Sequence, residues 1–339
     1  MIMCNHERVH FHDTTLRDGE QTPGVAFSSE VRKEIALKLD DLGVDIIELG
    51  FAASSEDQRL AMRAITESGL RAKTLSLVRP IKNDIDAALE AGVDGVILVI
   101  GFSDIHLKYK FKKDFSEVVK ILRGGLEYAK SKGLYVQIST EDGTRTSNEK
   151  LAVIAQLGEK YSVDRFCISD TVGIGTPKII SDKVRCILNS CNIPVSVHCH
   201  NDFGLATINS IAAVEAGARN LAVTMNGLGE RTGNASLEQC AMALTQLYGY
   251  ETNINLSKLL SVSQYISNVT EIELEPMRPI TGRNCFKHES GIHVEAILKN
   301  PTCYEPYDPK IIGAKQSLFW AKPTVSQRLN ISQENLMNF

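Results

Sequence analysis

VHFHDTTLRDGEQTPG, Val9 to Gly24, is the stretch whose reading decides the fold. Its first half is a run of strand length that passes directly into a polar turn. The turn carries no GxGxxG, the fingerprint that a doubly wound nucleotide-binding sheet shows after its first strand. Working outward, runs of the same kind recur: IIELGF from Ile46, KTLSLV from Lys73, GVILVIG from Gly95, LYVQIST from Leu134, RFCISD from Arg165, VSVHCH from Val195 and LAVTMNG from Leu221. Amphipathic stretches such as SEVRKEIALKLDDLG lie between them, an alternation that implies a parallel sheet. With the opening run these make eight βα units. Eight predicts a closed (β/α)8 TIM barrel of the α/β class, where an open sheet would offer five or six strands.

The polar residues support the same reading. Asp13, Glu48, Ser139, Glu141, Asp170, Thr171, His198, His200 and Asn226 all fall at or near the C-terminal ends of the expected strands. Loops begin there, which explains one or two such residues. A carboxylate, amide or imidazole at most of the ends implies instead a common mouth, where barrel enzymes keep their active sites. After Tyr250 the rhythm stops. Residues 1–250 are therefore expected to form the barrel, and 251–339 a helical linker and small, mainly helical C-terminal subdomain containing GRNCFKHESGIHVEAILKN and the Pro-rich PTCYEPYDPK.

Composition narrows the function. A 339-residue chain with 43% hydrophobic and 23% charged residues can bury a large core. Its 41 acidic against 37 basic residues, net −4, argue against a nucleic-acid or acidic-membrane binder. An anionic ligand must then be met by a local basic or amide-rich patch. Cys4, Cys167, Cys186, Cys191, Cys199, Cys240, Cys285 and Cys303 form no CxxC pair and read as reduced thiols. MIMCNHERVH lacks the apolar stretch of a signal peptide, and no window approaches the ~20 apolar residues of a membrane span, so the expected location is cytoplasmic.

VHCHND, Val197 to Asp202, is the sharpest local signal. Residues i and i+2 of a strand share a face, so His198 and His200 project together into the mouth while Cys199 turns to the helices. Two imidazoles aimed at one point are half a metal site. Asp18, just beyond the first strand, can add the hard oxygen that suits Mg2+, Mn2+ or Zn2+ acting as a Lewis acid. Alone, an HxH pair is as often strand decoration. Arg17 beside it is a fixed cation suited to a developing oxyanion, although LRDGE by itself could be a solvated loop. NGLGERTGN, Asn226 to Asn234, offers three glycines for close backbone approach, amides for an anion and the charge of Arg231. A Gly-rich turn is weak evidence on its own.

Read together, HDTTLRDGEQTPGVAF, HCHNDFGLATINSIAAVEAGA, NGLGERTGN and HESGIHVEAILKNPTCYEP resemble the 2-isopropylmalate, homocitrate and citramalate synthases of the DRE-TIM metallolyase superfamily. The likeness runs from residue 9 to about 313. It implies a divalent metal on Asp18, His198 and His200, with Asn234 a less constant further ligand, and makes Arg17 the cation at the 2-oxo group. Gln21 and Glu48 match positions lining the same pocket, Thr171 matches the holder of the acceptor's carboxylate, and Ser139 and Glu141 match positions near the acetyl-CoA thioester. The loop residues Asn226, Gly227, Gly229, Arg231 and Gly233 are expected to meet acetyl-CoA itself. His293 and Tyr304 match subdomain residues that assist proton transfer, so the catalytic set expected is Arg17, Glu141, His293 and Tyr304.

The implied reaction is a Claisen-type condensation of acetyl-CoA with a small 2-oxo acid, followed by thioester hydrolysis to a 2-substituted malate. The acceptor stays open. A histidine and an arginine that meet a second carboxylate in homocitrate synthases are replaced here by Ile81 and Gln137, and a specialised acceptor such as phosphonopyruvate fits as well. IIGAKQSLF stands where many relatives carry a GKHSG-like segment, and with the sequence ending at Phe339 the expectation is a chain either without the long regulatory domain of leucine-pathway members or shortened from one that carries it. Two alternatives have other chemistry: a carbon–carbon lyase of the superfamily, resembling 3-hydroxy-3-methylglutaryl-CoA lyase, and an idle barrel serving as a scaffold. The apolar positions of IHVEAILKN and INLSKLLSVSQYI suggest packing on another surface, hence a homodimer in which the region after Tyr250 of one chain covers the mouth of the other.

Overall fold

The computed structural model describes residues 5–315. Cys4 and the stretch from Gln316 to Phe339, which includes the end of IIGAKQSLF, lie outside the described residues. Eight parallel strands close into a barrel in chain order. They are β2 (His10–Asp13), β3 (Ile46–Gly50), β4 (Lys73–Val78), β5 (Gly95–Gly101), β6 (Tyr135–Glu141), β7 (Arg165–Asp170), β8 (Val195–Cys199) and β9 (Asn220–Val223). Closure comes from β2 on β9, in register from His10 opposite Asn220 to Asp13 opposite Val223. Each run anticipated from its apolar residues is one of these strands. The short parallel pair β1 (Asn5–Arg8) and β10 (Tyr250–Glu251) lies outside the barrel, and is too brief to show any periodicity.

Buried residues fill both faces of the strands. On the inside Ile46, Leu75 and Ile97 pack together with Leu77 and Tyr135; on the alternate positions Ile47, Leu49, Leu98 and Val136 are fully or almost fully buried. The helices between strands follow from ordinary punctuation. In α1 (Ser29–Leu42) the Ser28 hydroxyl accepts from Val31 N–H, and Ile35, Ala36, Leu39 and Leu42 make the buried stripe. Gly43 ends the helix at φ 95°, donating to the Asp40 and Leu39 carbonyls. A Cβ there would stand 2.1 Å from the Asn253 carbonyl oxygen, so no other residue fits.

The chain divides into two compact units between Ile254 and Asn255. The second contains α2 (Leu259–Thr270) and α3 (Gly291–Lys299) with short 3-10 turns. Val294, Ile297 and Ile312 are among its buried residues, and the Phe286 ring meets Tyr307 edge-on at 5.4 Å. No described helix is long and apolar enough to cross a membrane.

Candidate active site

The mouth of the barrel opens into a cavity of about 470 Å3 lined by His12, Arg17, Asp18, Glu48, His198 and His200, among others. The turn after β2 places the first of these. The Asp13 carboxylate accepts from Thr15 N–H and hydroxyl at 2.8 and 3.0 Å, and the amides of Arg17, Asp18 and Gly19 all donate to the Thr14 carbonyl. Burial pushes the Asp13 carboxyl up to about 7. This tight turn aims Arg17 and Asp18 inward from neighbouring positions. The Arg17 Nε donates to Glu48 Oε1 at 2.6 Å and Nη2 to Oε2 at 3.4 Å, while Nη1 stands 3.2 Å from Asp18 Oδ2. Burial raises the Glu48 carboxyl, and Arg17 opposes it. For Asp18 burial also works upward, yet Arg17 and the two histidines hold its carboxyl well below the usual range.

His198 and His200, at the end of β8 and just past it, face Asp18 as their i, i+2 spacing predicts. Asp18 Oδ2 lies 2.8 Å from His198 Nε2 and 3.3 Å from His200 Nε2, and the two Nε2 atoms are 3.0 Å apart. Burial lowers His198 to about 4, which leaves a neutral imidazole with its lone pair available. Asp18, His198 and His200 are the one set of three such side chains among the described residues that could hold a metal ion. The fit is close: a six-coordinate ion with bonds of about 2.1 Å sets neighbouring ligand atoms about 3.0 Å apart. Asn234 pairs with His200 in an antiparallel bridge, and its Nδ2 donates to Leu228 O at 2.8 Å while its buried Oδ1 has no partner. The Arg231 Nη2 donates to His200 Nδ1 at 2.7 Å and also reaches Thr171 O and Asp202 Oδ2. An ion on His200 Nε2 requires the ring proton on Nδ1, so Arg231 Nη2 would then rest on the two oxygens, with Nε still donating to Asp202 Oδ1 at 2.8 Å.

Other expected residues line the same cavity. They are Gln21, Ser139, Glu141 and Thr171. Thr171 Oγ1 accepts from Asp142 N–H at 2.8 Å, which leaves its own proton free to donate. Ser139 and Ser169 hydroxyls are 3.1 Å apart. Glu141 forms an ion pair with Lys110 and lies 3.7 Å from His106 Nδ1. Lys110, like Arg79, also lines the cavity, and sequence reasoning overlooked both. Lys110 sits in a π-helical turn, His106–Phe111, whose one irregular turn has no readable period.

The glycine loop differs from expectation. The amides of Asn226, Gly227, Gly229 and Gly233 donate to Glu238, Thr224, Thr22 and Glu230, so none of the four is free for an anion. The glycines serve tight packing instead. Gly233 has φ 84°, and a Cβ on it would stand 1.9 Å from the Gly227 carbonyl oxygen. Gly233→Ala is therefore expected to cost at least about 1–3 kcal/mol and to weaken metal binding by displacing Asn234. Thermal unfolding and metal titration check this, and an unchanged Tm would count against it. In the second unit His293 stacks on Tyr304 with ring centroids 4.0 Å apart, and His288 lies 6.2 and 6.5 Å from them.

The HMGL-like family model matches residues 8–266, and the homocitrate synthase post-HMGL domain-like model matches 280–330. Similar proteins include an (R)-citramalate synthase from Methanocaldococcus jannaschii, 46% identical over 97% of this chain and 69% of its own length. A homocitrate synthase from Methanopyrus kandleri is 46% identical over 94% of this chain and 80% of its own. A 2-isopropylmalate synthase from M. jannaschii is 43% identical over 97% of this chain, which spans 64% of that protein. In fold the chain matches the Bacillus subtilis HMG-CoA lyase with a TM-score of 0.73 and 21% identity, over 81% of this chain and 98% of that one.

Proposed function

Given that the chain belongs to the family of 2-isopropylmalate, homocitrate and citramalate synthases, we propose that it is an acyltransferase condensing acetyl-CoA with a small 2-oxo acid. The observation that carries this reading is the convergence of Asp18, His198 and His200 within 3.3 Å of one another beside the Arg17 fork. Asp18, His198 and His200, with Asn234 beside them, would hold a divalent ion, which when bound supplies Lewis acidity at the ketone. Arg17 directs guanidinium N–H groups at the ketone oxygen, where charge grows as the new bond forms. The Thr171 hydroxyl donates to the acceptor's carboxylate. Glu48 keeps Arg17 in place, and Gln21 closes the rim.

The Glu141 carboxylate takes a proton from the acetyl methyl group. The electron pair of that C–H bond becomes the new C–C bond to the ketone carbon, the C=O π pair moves onto the oxygen, and the proton taken up by Glu141 is passed on to that oxygen. Water then cleaves the thioester and releases CoA. Ser139 lies along the thioester, and acetyl-CoA rests on the Asn226–Gly233 loop through the exposed Arg231 side chain. His293 and Tyr304, stacked in their own unit, assist proton transfer in a homodimer; subunit exchange between Arg17 and His293 variants would regain part of the activity if sites are shared between chains.

For the acceptor's tail the inner wall offers Leu77, Ile97 and Val99 with two neutral polar groups, Gln137 and His12. That lining favours a short apolar tail. Lys110 and Arg79 on the same cavity favour a second reading, an acceptor with a further anionic group such as 2-oxoglutarate or phosphonopyruvate. Thiol release from acetyl-CoA against a panel of 2-oxo acids separates these. Release with at least one 2-oxo acid is expected, and none with any, in metal-loaded protein, would refute the condensation.

A further inference from the structure

At the opposite end of the barrel, where the strands begin, a second cavity of about 680 Å3 is lined by Arg8, His10, Tyr135, Arg165, Arg219 and Asn220, with Asp164 as its carboxylate. Most of these charges are already matched. Arg8 lies 3.6 Å from Glu251, His10 Nδ1 2.8 Å from Asp45, and Asp164 accepts from Lys130 and Val136 N–H. Arg219 pairs with Glu7 and donates to the Val214 and Ala218 carbonyls.

Arg165 is different. It is 7% exposed, and neither its Nε nor its Nη1 has a hydrogen-bond partner. The nearest aromatic support is the Tyr135 ring, 5.9 Å from the guanidinium carbon. Asn220, 3% exposed at the start of β9, likewise leaves its Oδ1 unpartnered. Asp45 and Asp164 act on the guanidinium only through space, and buried donors without an acceptor are among the costliest features a fold can retain. Burial accordingly draws the Arg165 guanidinium below its ordinary pKa. An unpaired fork of donors, an amide that can present its NH2 by a half-turn, and two further arginines at the rim describe a receptor for oxygen-bearing anions.

We propose that this floor cavity binds a small oxyanion, a phosphate or carboxylate group, on Arg165 and Asn220 with Arg219 and Arg8 at its rim. The site is separate from the catalytic cavity and does not depend on the reaction assigned there. β7 starts at Arg165 and ends at Asp170, one residue before Thr171, so the anion stands at the foot of a strand whose top reaches the acceptor.

Calorimetric titration of the full chain with inorganic phosphate, and separately with acetate, tests the proposal. Wild type is expected to bind at least one of them saturably, with affinity unchanged by saturating pyruvate. Phosphate binding alone names the phosphoryl source, acetate binding alone the carboxylate source, and binding of both the shared oxyanion chemistry. R165M is expected to bind about ten-fold or more weakly, yet to unfold in anion-free buffer at the same or a higher temperature, because an uncompensated charge is gone. N220L should weaken binding too, and it carries the test if R165M does not fold. Absence of binding by wild type, competition with pyruvate, or undiminished affinity in the variant that folds would each overturn the site.

Discussion

Arg17→Lys is expected to lower kcat by about 10²–10³-fold while the protein still folds and binds metal. The guanidinium touches Glu48 through Nε and Nη2 and Asp18 through Nη1, so its plane is fixed from two sides before any substrate arrives. A lysine keeps the charge and can still meet one carboxylate. It cannot span both and also present donors to a ketone oxygen. The loss should fall on kcat more than on KM, because an interaction that strengthens as the oxyanion forms stabilises the transition state above the bound ground state. Steady-state kinetics with metal content measured on the same sample give the answer. An unchanged kcat would reduce Arg17 to a brace for Glu48.

Asp18→Asn is expected to weaken divalent-metal binding by more than about 100-fold and to abolish turnover at ordinary metal concentration. The change preserves volume and removes the charge that both histidines face. Asp18 is buried between Arg17 and the two imidazoles, so the amide leaves a buried cation with Glu48 as its remaining partner and a ligand set short of its anion. Chelation of the wild type should have the same effect, reversible with Mn2+ or Mg2+. Full turnover by metal-free wild type would remove the metal from the mechanism altogether.

Much of this architecture is legible in sequence for a simple reason. A parallel strand buried on both faces must be an apolar run, and eight such runs punctuated by helices have few ways to close. The pairing of Asp18 with His198 and His200 follows from strand parity and from the closeness of the first and seventh strands around a closed barrel mouth. Lys110 escaped because a single π-helical turn has no period, and its approach to Glu141 follows from the path of that turn. The donors of the glycine loop were misread because glycine signals conformational freedom without saying where the amides go. Arg165 stands in sequence only as the first residue of the run RFCISD. Only the alternation Arg165, Cys167, Ser169 toward the interior reveals a cation turned inward.

Asp18 and His200, two of the residues that would hold the metal, lie 182 residues apart in the chain. An ion held between them ties the first strand of the barrel to the seventh, across the seam where β2 meets β9. Such a link closes almost the whole ring of strands as one loop, a contact that folding reaches late because its sequence separation is large. While the chain is being synthesised this set of side chains cannot exist until the barrel is nearly complete, so uptake of an ion there would report finished assembly. Once bound, the ion favours the closed ring over any opened form by mass action, and a loss of metal would be felt first as parting of the seam.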